Sequence, residues 1–328
     1  MNVRTLILAA AASCLASAGS SWAASGLQAG WSGCRSADAA ARIDGCTQVI
    51  NHIQREPKSN KISAYFNRGE AYQARGDYDH AIDDLSKALQ IEPASPDLLA
   101  ARGSAYRGKG DLDHSLADFD AAIARKKNHA RAYLGRGSVY YAKGDVDRAI
   151  ADFTEALKID PKSADALSAR AIAYRAKGDA ERELADLNES VNLDKRRAAP
   201  LLARGAYFQS KGDHDRAIAD FSAALAREPK SAPVYNARGL AYHAKGDLDL
   251  AIADFDAAIK LDPSLASAFV NRGNALRGKH EAERAKSDYE AALKLKPDLA
   301  SANKGLQEVE KYLSSKAASE QRESGARP

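Results

Sequence analysis

The dipeptide Arg-Gly returns at a constant interval along the middle of this 328-residue chain. Each step is 34 residues without an insertion or a deletion, and Arg170-Ala171 fills the single gap in the series. The other copies begin at Arg68, Arg102, Arg136, Arg204, Arg238 and Arg272. A fixed period of this length is typical of a repeat architecture. The sequence therefore predicts seven structural repeats, which begin near Ile62, Pro96, Ala130, Ala164, Ala198, Ala232 and Ala266.

Each repeat has the pattern of two helices joined by a short turn, as the third repeat illustrates. Its first helix is expected over 130–143 and ends at Gly144, because glycine readily adopts the left-handed conformation that follows a helix. Asp145 can cap the second helix, which is expected to run to about Asp160. Pro161 prevents that helix from continuing.

The apolar residues of each repeat fall on one face of each predicted helix. In the third repeat these faces comprise Tyr133, Gly137 and Tyr140, and then Ala149, Phe153, Ala156 and Leu157. A helical hairpin of this size is too small to be stable alone. The next repeat must cover its remaining apolar surface, so the predicted fold class is an all-α solenoid.

The pattern resembles the tetratricopeptide repeat, whose 34 residues carry an aromatic residue, Leu-Gly, Tyr, Ala, Phe, Ala and Pro at set positions. The Tyr position is occupied by Tyr72, Tyr106, Tyr140, Tyr174, Phe208, Tyr242 and Leu276. The Phe position is occupied by Leu85, Phe119, Phe153, Leu187, Phe221, Phe255 and Tyr289. The resemblance covers Ile62 to Pro297. It implies a right-handed α-solenoid of seven helix-turn-helix units with capping helices at both ends.

The fourth repeat departs most from this pattern. It carries Ala171 in place of Gly, Glu183 and Ser190 in place of Ala, and Lys195 in place of Pro. These changes fit a weak repeat that its neighbours support, and they also fit a local irregularity that is used in binding.

Two charged positions are filled in all seven repeats, and they predict a ladder of ion pairs. The basic position holds Arg68, Arg102, Arg136, Arg170, Arg204, Arg238 and Arg272. The acidic position holds Asp84, Asp118, Asp152, Asp186, Asp220, Asp254 and Asp288. Each pair is expected where the two helices cross, within one repeat or between neighbours, as a structural contact that fixes the register of stacking.

The first 23 residues have the pattern of a secretory signal peptide, with an early charge, a short apolar stretch and small residues before cleavage at Ala23. Cleavage there would remove Cys14 and leave Cys34 and Cys46, which in an oxidising compartment predict a disulfide. Two unpaired buried thiols are the alternative. A further alternative is lipidation of Cys14, which would anchor the chain to a membrane.

The rest of the chain divides into capping segments around the repeats. We expect an N-terminal capping segment over 24–61, the seven repeats over 62–297 and a C-terminal capping helix over 298–314. The tail at 315–328 is polar and lacks large apolar residues, so it is expected to be disordered.

Neither the charges nor the sequence motifs indicate that this chain carries out chemistry of its own. Lys and Arg number 48 against 44 Asp and Glu, and the two signs are interleaved, so no nucleic-acid partner is indicated. The seven histidines show no metal-ligand spacing. We expect no catalytic residues, no metal, no cofactor and no membrane-spanning segment in the mature chain.

By resemblance, the first helices line a concave groove. The groove positions selected are Phe66, Glu70, Arg107, Leu134, Ser138, Tyr141, Ile172, Arg175, Leu202, Gln209, Asn236, Leu240, His243, Asn274 and Arg277. Short apolar residues with spaced Arg, Tyr and His suit an extended peptide or a helix with apolar anchors and some acidic groups. A merely solvated surface is the alternative.

These observations favour an exported, non-enzymatic scaffold, periplasmic or secreted, that binds a protein or peptide of the cell envelope. The alternative is a non-catalytic regulatory subunit of an envelope hydrolase or of an assembly complex, with or without a lipid anchor.

Overall fold

A computed structural model describes residues 28–325, with side chains over 28–320 except at position 55. The expected signal peptide, its cleavage point and Cys14 lie outside the described residues. No helix in the described part is long and apolar enough to cross a membrane.

The described residues form helices and turns, with no β-strand among them. In chain order the helices are α1 (28–34), α2 (Ala39–Asn51), α3 (Lys58–Ala74), α4 (Tyr78–Ile91), α5 (Pro96–Lys109), α6 (Leu112–Arg125), α7 (Ala130–Ala142), α8 (Val146–Ile159), α9 (Ala164–Lys177), α10 (Ala180–Leu193), α11 (Ala199–Ser210), α12 (His214–Arg227), α13 (Ala232–Lys245), α14 (Leu248–Leu261), α15 (Ala266–Gly278), α16 (Ala282–Leu295) and α17 (Ala300–Gly325). A short 3₁₀ helix at Ile53–Arg55 follows α2. The fold is thus an all-α helical-repeat solenoid, as the sequence predicts.

The turn inside six of the seven repeats combines a glycine with an aspartate. The glycine ends the first helix with positive φ, and the φ values lie between 75° and 88°. In five of these repeats the side chain of the aspartate that follows caps the second helix, as Asp145 does by accepting a hydrogen bond from the backbone N–H of Arg148. In the seventh repeat His280 takes the glycine position with φ 63°, a conformation that glycine adopts at lower cost.

Contacts divide the chain into two compact parts. Among the described residues, the N-terminal part contains those up to Lys162 together with Ala176–Gly178, and the C-terminal part contains Ser163–Arg175 and those from Asp179 onward. In both parts the two helices of a repeat pack against each other and against the next repeat. First helices of successive repeats also touch, as α5 does α7 and α13 does α15.

In five repeats the two helices cross at a glycine that faces an aromatic ring, and in the first repeat Gly69 faces Leu85. A Cβ atom added to Gly137 would lie 2.7 Å from Cε1 of Phe153, a distance that real structures do not tolerate. The fourth repeat has Ala171 at this position, and the residue it faces is the smaller Leu187. The substitution of Gly by Ala is therefore matched by a smaller partner.

The N-terminal cap is held by a disulfide between Cys34 and Cys46, whose side chains are fully buried. The S–S distance is 1.93 Å. Helices α1 and α2 meet almost backbone to backbone, because a Cβ on Gly45 would lie only 2.4 Å from the backbone N of Cys34. Helix α2 in turn packs on α3, so the bridge closes the end of the repeat array.

The C-terminal segment corrects one prediction. Helix α17 continues through Gly325, so residues 315–325 are helical rather than a disordered tail. Between Leu306 and the end of this helix the chain has no proline, and Ala, Lys, Glu, Gln and Arg are good helix formers. Val309 of α17 is buried and Leu313 packs beside it in the cluster around Tyr289, as a capping helix requires. Helix α3 likewise begins at Lys58, four residues before the expected start of the first repeat.

Candidate functional site

Arginine and aspartate form a paired fork at the helix crossing of every repeat. Each arginine donates Nε and one terminal N–H to the two oxygens of the aspartate sixteen residues later, at 2.6–2.8 Å. All seven aspartates are buried. The pairs lie within repeats, which is one of the two arrangements that the sequence left open. The two parallel hydrogen bonds fix both position and orientation of the guanidinium group.

The third nitrogen of the arginine extends the contact to the preceding repeat. Arg102 donates to the Ser86 hydroxyl at 3.2 Å and Arg238 donates to the Ser222 hydroxyl at 3.0 Å. The partners of Arg68, Arg136, Arg204 and Arg272 are Thr47, Asp120, Asn188 and Asp256. Within each part of the chain, these contacts link the Arg–Asp pairs of neighbouring repeats into a ladder, which can fix the register of stacking.

The charge state of these pairs follows from their surroundings. The hydrogen bond and charge of Asp152, with those of Asp120, raise the pKa of Arg136 despite its partial burial. The pKa of Arg68 is raised as well: burial alone would lower it, but the hydrogen bond and charge of Asp84 outweigh that effect. Both arginines stay cationic throughout the accessible pH range.

A second ladder connects neighbouring repeats and was missed in the sequence analysis. A lysine at the end of the first helix pairs with the aspartate thirty residues earlier, at 2.5–2.6 Å. The pairs are Lys109–Asp79, Lys143–Asp113, Lys177–Asp147, Lys245–Asp215 and Lys279–Asp249. The recurrence of both residues every 34 positions is the signal that would have identified them.

In the N-terminal part, the predicted groove residues share the exposed side of α3, α5 and α7. Glu70 of the first repeat bonds to Arg131 of the third at 3.0 Å, so an ion pair spans this surface. Tyr141 is 37% exposed, and Arg107 is exposed without an ion-pair partner in the described residues. The Ser138 hydroxyl donates to the backbone oxygen of its own helix at Leu134.

Phe66 and Leu134 are half-buried at the same surface. Phe66 is fixed from beneath, because it packs against the buried cluster that contains Phe119. The N-terminal part therefore presents a mixed surface of aromatic rings, aliphatic side chains and one free guanidinium group.

In the C-terminal part, the corresponding surface is more apolar. Ile172 is 41% exposed and Leu240 is 38% exposed, while Leu202 is half-buried. Ile172 and Leu240 are large side chains on α9 and α13, the first helices of the fourth and sixth repeats, where they occupy equivalent positions two repeats apart.

Amide side chains lie on α11, α13 and α15 of the same part. The Asn271 amide donates to the Asn236 side-chain oxygen at 2.9 Å, and Asn274 accepts from the Tyr289 hydroxyl at 2.8 Å. Gln209 contacts the His214 ring at 3.3 Å, and His243 is half-buried. These bonds hold the amides in place and leave them with further hydrogen-bonding capacity.

Two of the predicted groove cations are engaged by carboxylates. Arg175 bonds to Glu183 at 2.5 Å, and Glu183 is almost completely buried. Arg277 pairs with Glu308 of α17. These two arginines are therefore held by carboxylates of the protein itself.

The unusual residues of the fourth repeat are mutually satisfied. Ser190 donates to the backbone oxygen of Ala164 at 3.0 Å and lies 2.8 Å from the Ser168 hydroxyl. Glu183 has its arginine. Each polar replacement of alanine has thus acquired a hydrogen-bond partner, as buried polar groups require.

Across the described residues, no group of three His, Cys, Asp or Glu side chains is placed to hold a metal ion. The surface of the first helices offers apolar side chains, amides and a few charges. Such groups can hold a ligand through contacts and hydrogen bonds.

Comparison with family models agrees with this architecture. Models described as tetratricopeptide repeat match residues 62–95, 100–164, 144–200 and 266–299, and one described as TPR repeat matches 239–279. The chain belongs to the tetratricopeptide repeat family. No curated protein matches it in sequence.

Solved structures show the same fold at low identity. The crystal structure of the APC/C hetero-tetramer Cut9-Hcn1 matches with a TM-score of 0.65 and 16% identity, over 81% of this chain and 52% of that chain. This chain thus spans about half the length of that relative. A tetratricopeptide repeat protein from Parabacteroides merdae matches with a TM-score of 0.55 and 21% identity, over 76% of this chain and 98% of that one. Pseudomonas aeruginosa pilF matches with a TM-score of 0.54 and 17% identity, over 65% and 97%.

Proposed function

We propose that the protein is an exported, non-catalytic scaffold that binds an extended peptide or a helix of a cell-envelope protein on the surface of its first helices. The observation that carries the proposal is the pair of exposed large apolar residues, Ile172 and Leu240, at equivalent positions of the fourth and sixth repeats, together with hydrogen-bonding amides on the first helices. Apolar residues on a rigid framework serve as anchor points for a partner, and amides can bind its backbone.

The charges of the surface suggest the composition of the ligand. Arg107 and Tyr141 in the N-terminal part are available to acidic and polar groups of the ligand. In the C-terminal part the accessible surface around Leu240 favours apolar side chains. A ligand with apolar anchors and a few carboxylates fits both.

Export and an envelope location are part of this proposal and rest on two observations. The N-terminal sequence has the pattern of a signal peptide, and the buried disulfide requires an oxidising compartment to persist.

The proposal is tested by affinity capture from an envelope extract with the wild-type chain and two variants. Leu240→Asp places a charge on the first-helix surface, and Leu250→Asp places the same charge on a second helix, at a side chain that is 52% exposed. Partner recovery should fall at least tenfold for Leu240→Asp and stay near wild type for Leu250→Asp. Equal recovery by both variants would reject the assignment of the first-helix surface as the binding site.

A further inference from the structure

A cationic edge follows the turns that connect successive repeats in the C-terminal part. We call it the loop edge and define it as residues 194–198, 227–231, 260–265 and 294–299. It carries eight cationic side chains, Lys195, Arg196, Arg197, Arg227, Lys230, Lys260, Lys294 and Lys296. It carries four carboxylates, Asp194, Glu228, Asp262 and Asp298. The loop edge therefore carries more positive than negative charge. This local excess is not evident in the whole sequence, where charges of both signs are interleaved.

Direct contacts place these segments side by side. The Arg227 Nε donates to the backbone oxygen of Lys195 at 2.8 Å, which joins the first two segments. A cleft of about 660 Å³ lies between Pro229 and Lys230 of one segment and Leu261 of the next. A second cleft, of about 450 Å³, joins Leu265 to Lys296. The four segments thus form one continuous edge.

The opposite edge, formed by the turns inside the repeats, is different in charge. There several cations are paired, namely Lys245 with Asp215, Arg216 with Asp213, and Lys279 with Asp249, while Lys211 lies over the Tyr207 ring. At the loop edge, by contrast, six cations form no ion pair within the described residues, namely Lys195, Arg196, Lys230, Lys260, Lys294 and Lys296. Unpaired cations on one edge leave a field directed outward from it.

Exposed leucines lie among these lysines. Leu261 is 40% exposed and Leu295 is 41% exposed, and each is the last residue of the second helix of its repeat. They are 34 residues apart, so they occupy equivalent positions on successive repeats. Lys260 precedes one leucine, and Lys294 and Lys296 flank the other. Leucine side chains that lie between flexible cationic side chains are suited to a membrane interface, where charged headgroups meet acyl chains.

We propose that the loop edge binds the surface of an anionic phospholipid bilayer. The unpaired cations attract the headgroups, and Leu261 and Leu295 enter the headgroup layer. Lysines dominate the unpaired set, and a lysine is a hydrated point charge that suits a diffuse layer of phosphates. Recognition of the carboxylates of a single acidic polypeptide more often uses the arginine fork, and the forks of Arg197 and Arg227 are occupied within the protein.

This binding mode goes beyond the proposed function and does not depend on it. Leu240 and His243 lie outside the loop edge, so a lipid-bound chain keeps its first-helix surface available to a protein partner. The proposal fits the finding that no described helix can span a bilayer, because the contact is confined to loops and helix ends.

The test is cosedimentation of the full chain with two kinds of vesicles. One kind contains phosphatidylcholine alone, and the other contains equal parts of phosphatidylcholine and phosphatidylglycerol. The wild-type chain should bind only the anionic vesicles, and binding should weaken as salt is added. The triple variant Lys230→Gln, Lys260→Gln, Lys296→Gln should bind roughly a hundredfold more weakly, which is about fivefold for each charge removed.

The control is a triple variant with the same loss of net charge, Lys211→Gln, Lys311→Gln, Lys316→Gln, which leaves the loop edge intact. It should lose less than about tenfold in vesicle binding. Leu261→Ser with Leu295→Ser should weaken binding several-fold and leave its salt dependence unchanged. Circular dichroism confirms that each variant is folded before its binding is compared.

Three results would overturn the proposal. They are equal binding to both kinds of vesicles, equal loss in the two lysine triples, and tighter binding to poly-L-glutamate than to anionic vesicles at the same concentration of negative charge. The last result would assign the edge to an acidic polypeptide instead.

Discussion

The arginine that precedes the glycine position of each repeat organises the repeat at the scale of single residues. Its guanidinium group contacts a buried aspartate of its own repeat and a polar residue of the preceding one. It also lies over the aromatic ring four residues later, with a centroid distance of 5.8 Å between Arg102 and Tyr106. One side chain thus joins the two helices of a repeat and the two repeats of a pair.

Replacement of a carboxylate should therefore lower the free energy of unfolding strongly where the carboxylate is buried and only slightly where it is exposed. Asp152→Asn removes the buried carboxylate that accepts two hydrogen bonds from Arg136 and leaves Asp120 as the only charged partner of that arginine in the described residues, so it should lower the free energy of unfolding by about 2–4 kcal/mol. Asp113→Asn removes an exposed partner of Lys143 and should cost less than about 1 kcal/mol. Urea unfolding followed by circular dichroism measures both, and similar losses in the two variants would contradict the assigned role of the fork.

The contact between glycine and ring can be tested in the third repeat. Gly137→Ala puts a methyl group against the Phe153 ring and should destabilise the protein by about 1–3 kcal/mol. Phe153→Leu opens the space that the fourth repeat uses for Ala171. The double variant should lose clearly less than the sum of the two single losses, because the substitutions share one contact. Additive losses in thermal unfolding would show that the two positions are independent.

At the scale of helices and turns, the sequence was most informative where local chemistry decides the structure. Gly144, Asp145 and Pro161 set the ends of their helices by backbone conformation, capping and the missing N–H, and α7 and α8 end within a few residues of the predicted positions. The Arg–Asp pairs could be inferred because both partners recur in every repeat. The disulfide could be inferred because the expected cleavage of a signal peptide would leave only two cysteines.

The sequence did not reveal those features that no local sequence pattern determines. The partner of Glu183 is Arg175, eight residues earlier on another helix, and nothing in the local pattern specifies that pairing. The extent of α17 was missed because polar composition predicts disorder as readily as an exposed helix. The exposed surface of the first helices was placed by family resemblance, and only the structure shows that Arg277 is engaged by Glu308.

The capping aspartates predict an acid transition. Hydrogen bonds from the side chain and backbone N–H of Arg197 lower the pKa of Asp194 to about 2, from an ordinary value of 3.8. The backbone N–H and the side chain of Arg148 likewise lower the pKa of Asp145. Because the pKa values of the folded state are depressed, this stabilisation is complete above pH 3.8 and is lost as the pH falls toward about 2.

Thermal unfolding measured between about pH 5 and pH 2 should show this loss. Asp145→Asn together with Asp194→Asn should make the fall of the unfolding temperature less steep. Asp44→Asn, which removes an exposed carboxylate in the middle of α2, should leave the slope unchanged. An unchanged slope in the capping variant would contradict the role of these carboxylates.

The disulfide should stabilise the N-terminal cap more than it stabilises the rest of the chain. Replacement of Cys34 and Cys46 by serine opens a short loop, and should lower the stability of this segment by about 3 kcal/mol. Limited proteolysis should then cleave α1 and α2 first, whereas wild type under non-reducing conditions stays intact. A serine variant as resistant as wild type would show that packing alone holds the cap.

At the scale of the whole molecule, the repeats leave two surfaces for distinct uses within the C-terminal part. The Arg–Asp ladder and the buried rings occupy the inner faces of the helices. The first-helix surface around Leu240 is exposed and is the surface that we propose for a protein ligand, and the loop edge around Leu261 is exposed and is the surface that we propose for an anionic lipid layer. Seven nearly identical repeats therefore carry their specificity in the few exposed positions that vary between them.

Photocrosslinking in intact cells tests the assignment of the first-helix surface most directly. A photoreactive amino acid is placed at position 240 in one variant and at position 250 in another, so that both probes are exposed on the same repeat. The account predicts a discrete crosslinked protein from position 240 and none from position 250. Crosslinking from position 250 alone, or equally from both, would contradict it.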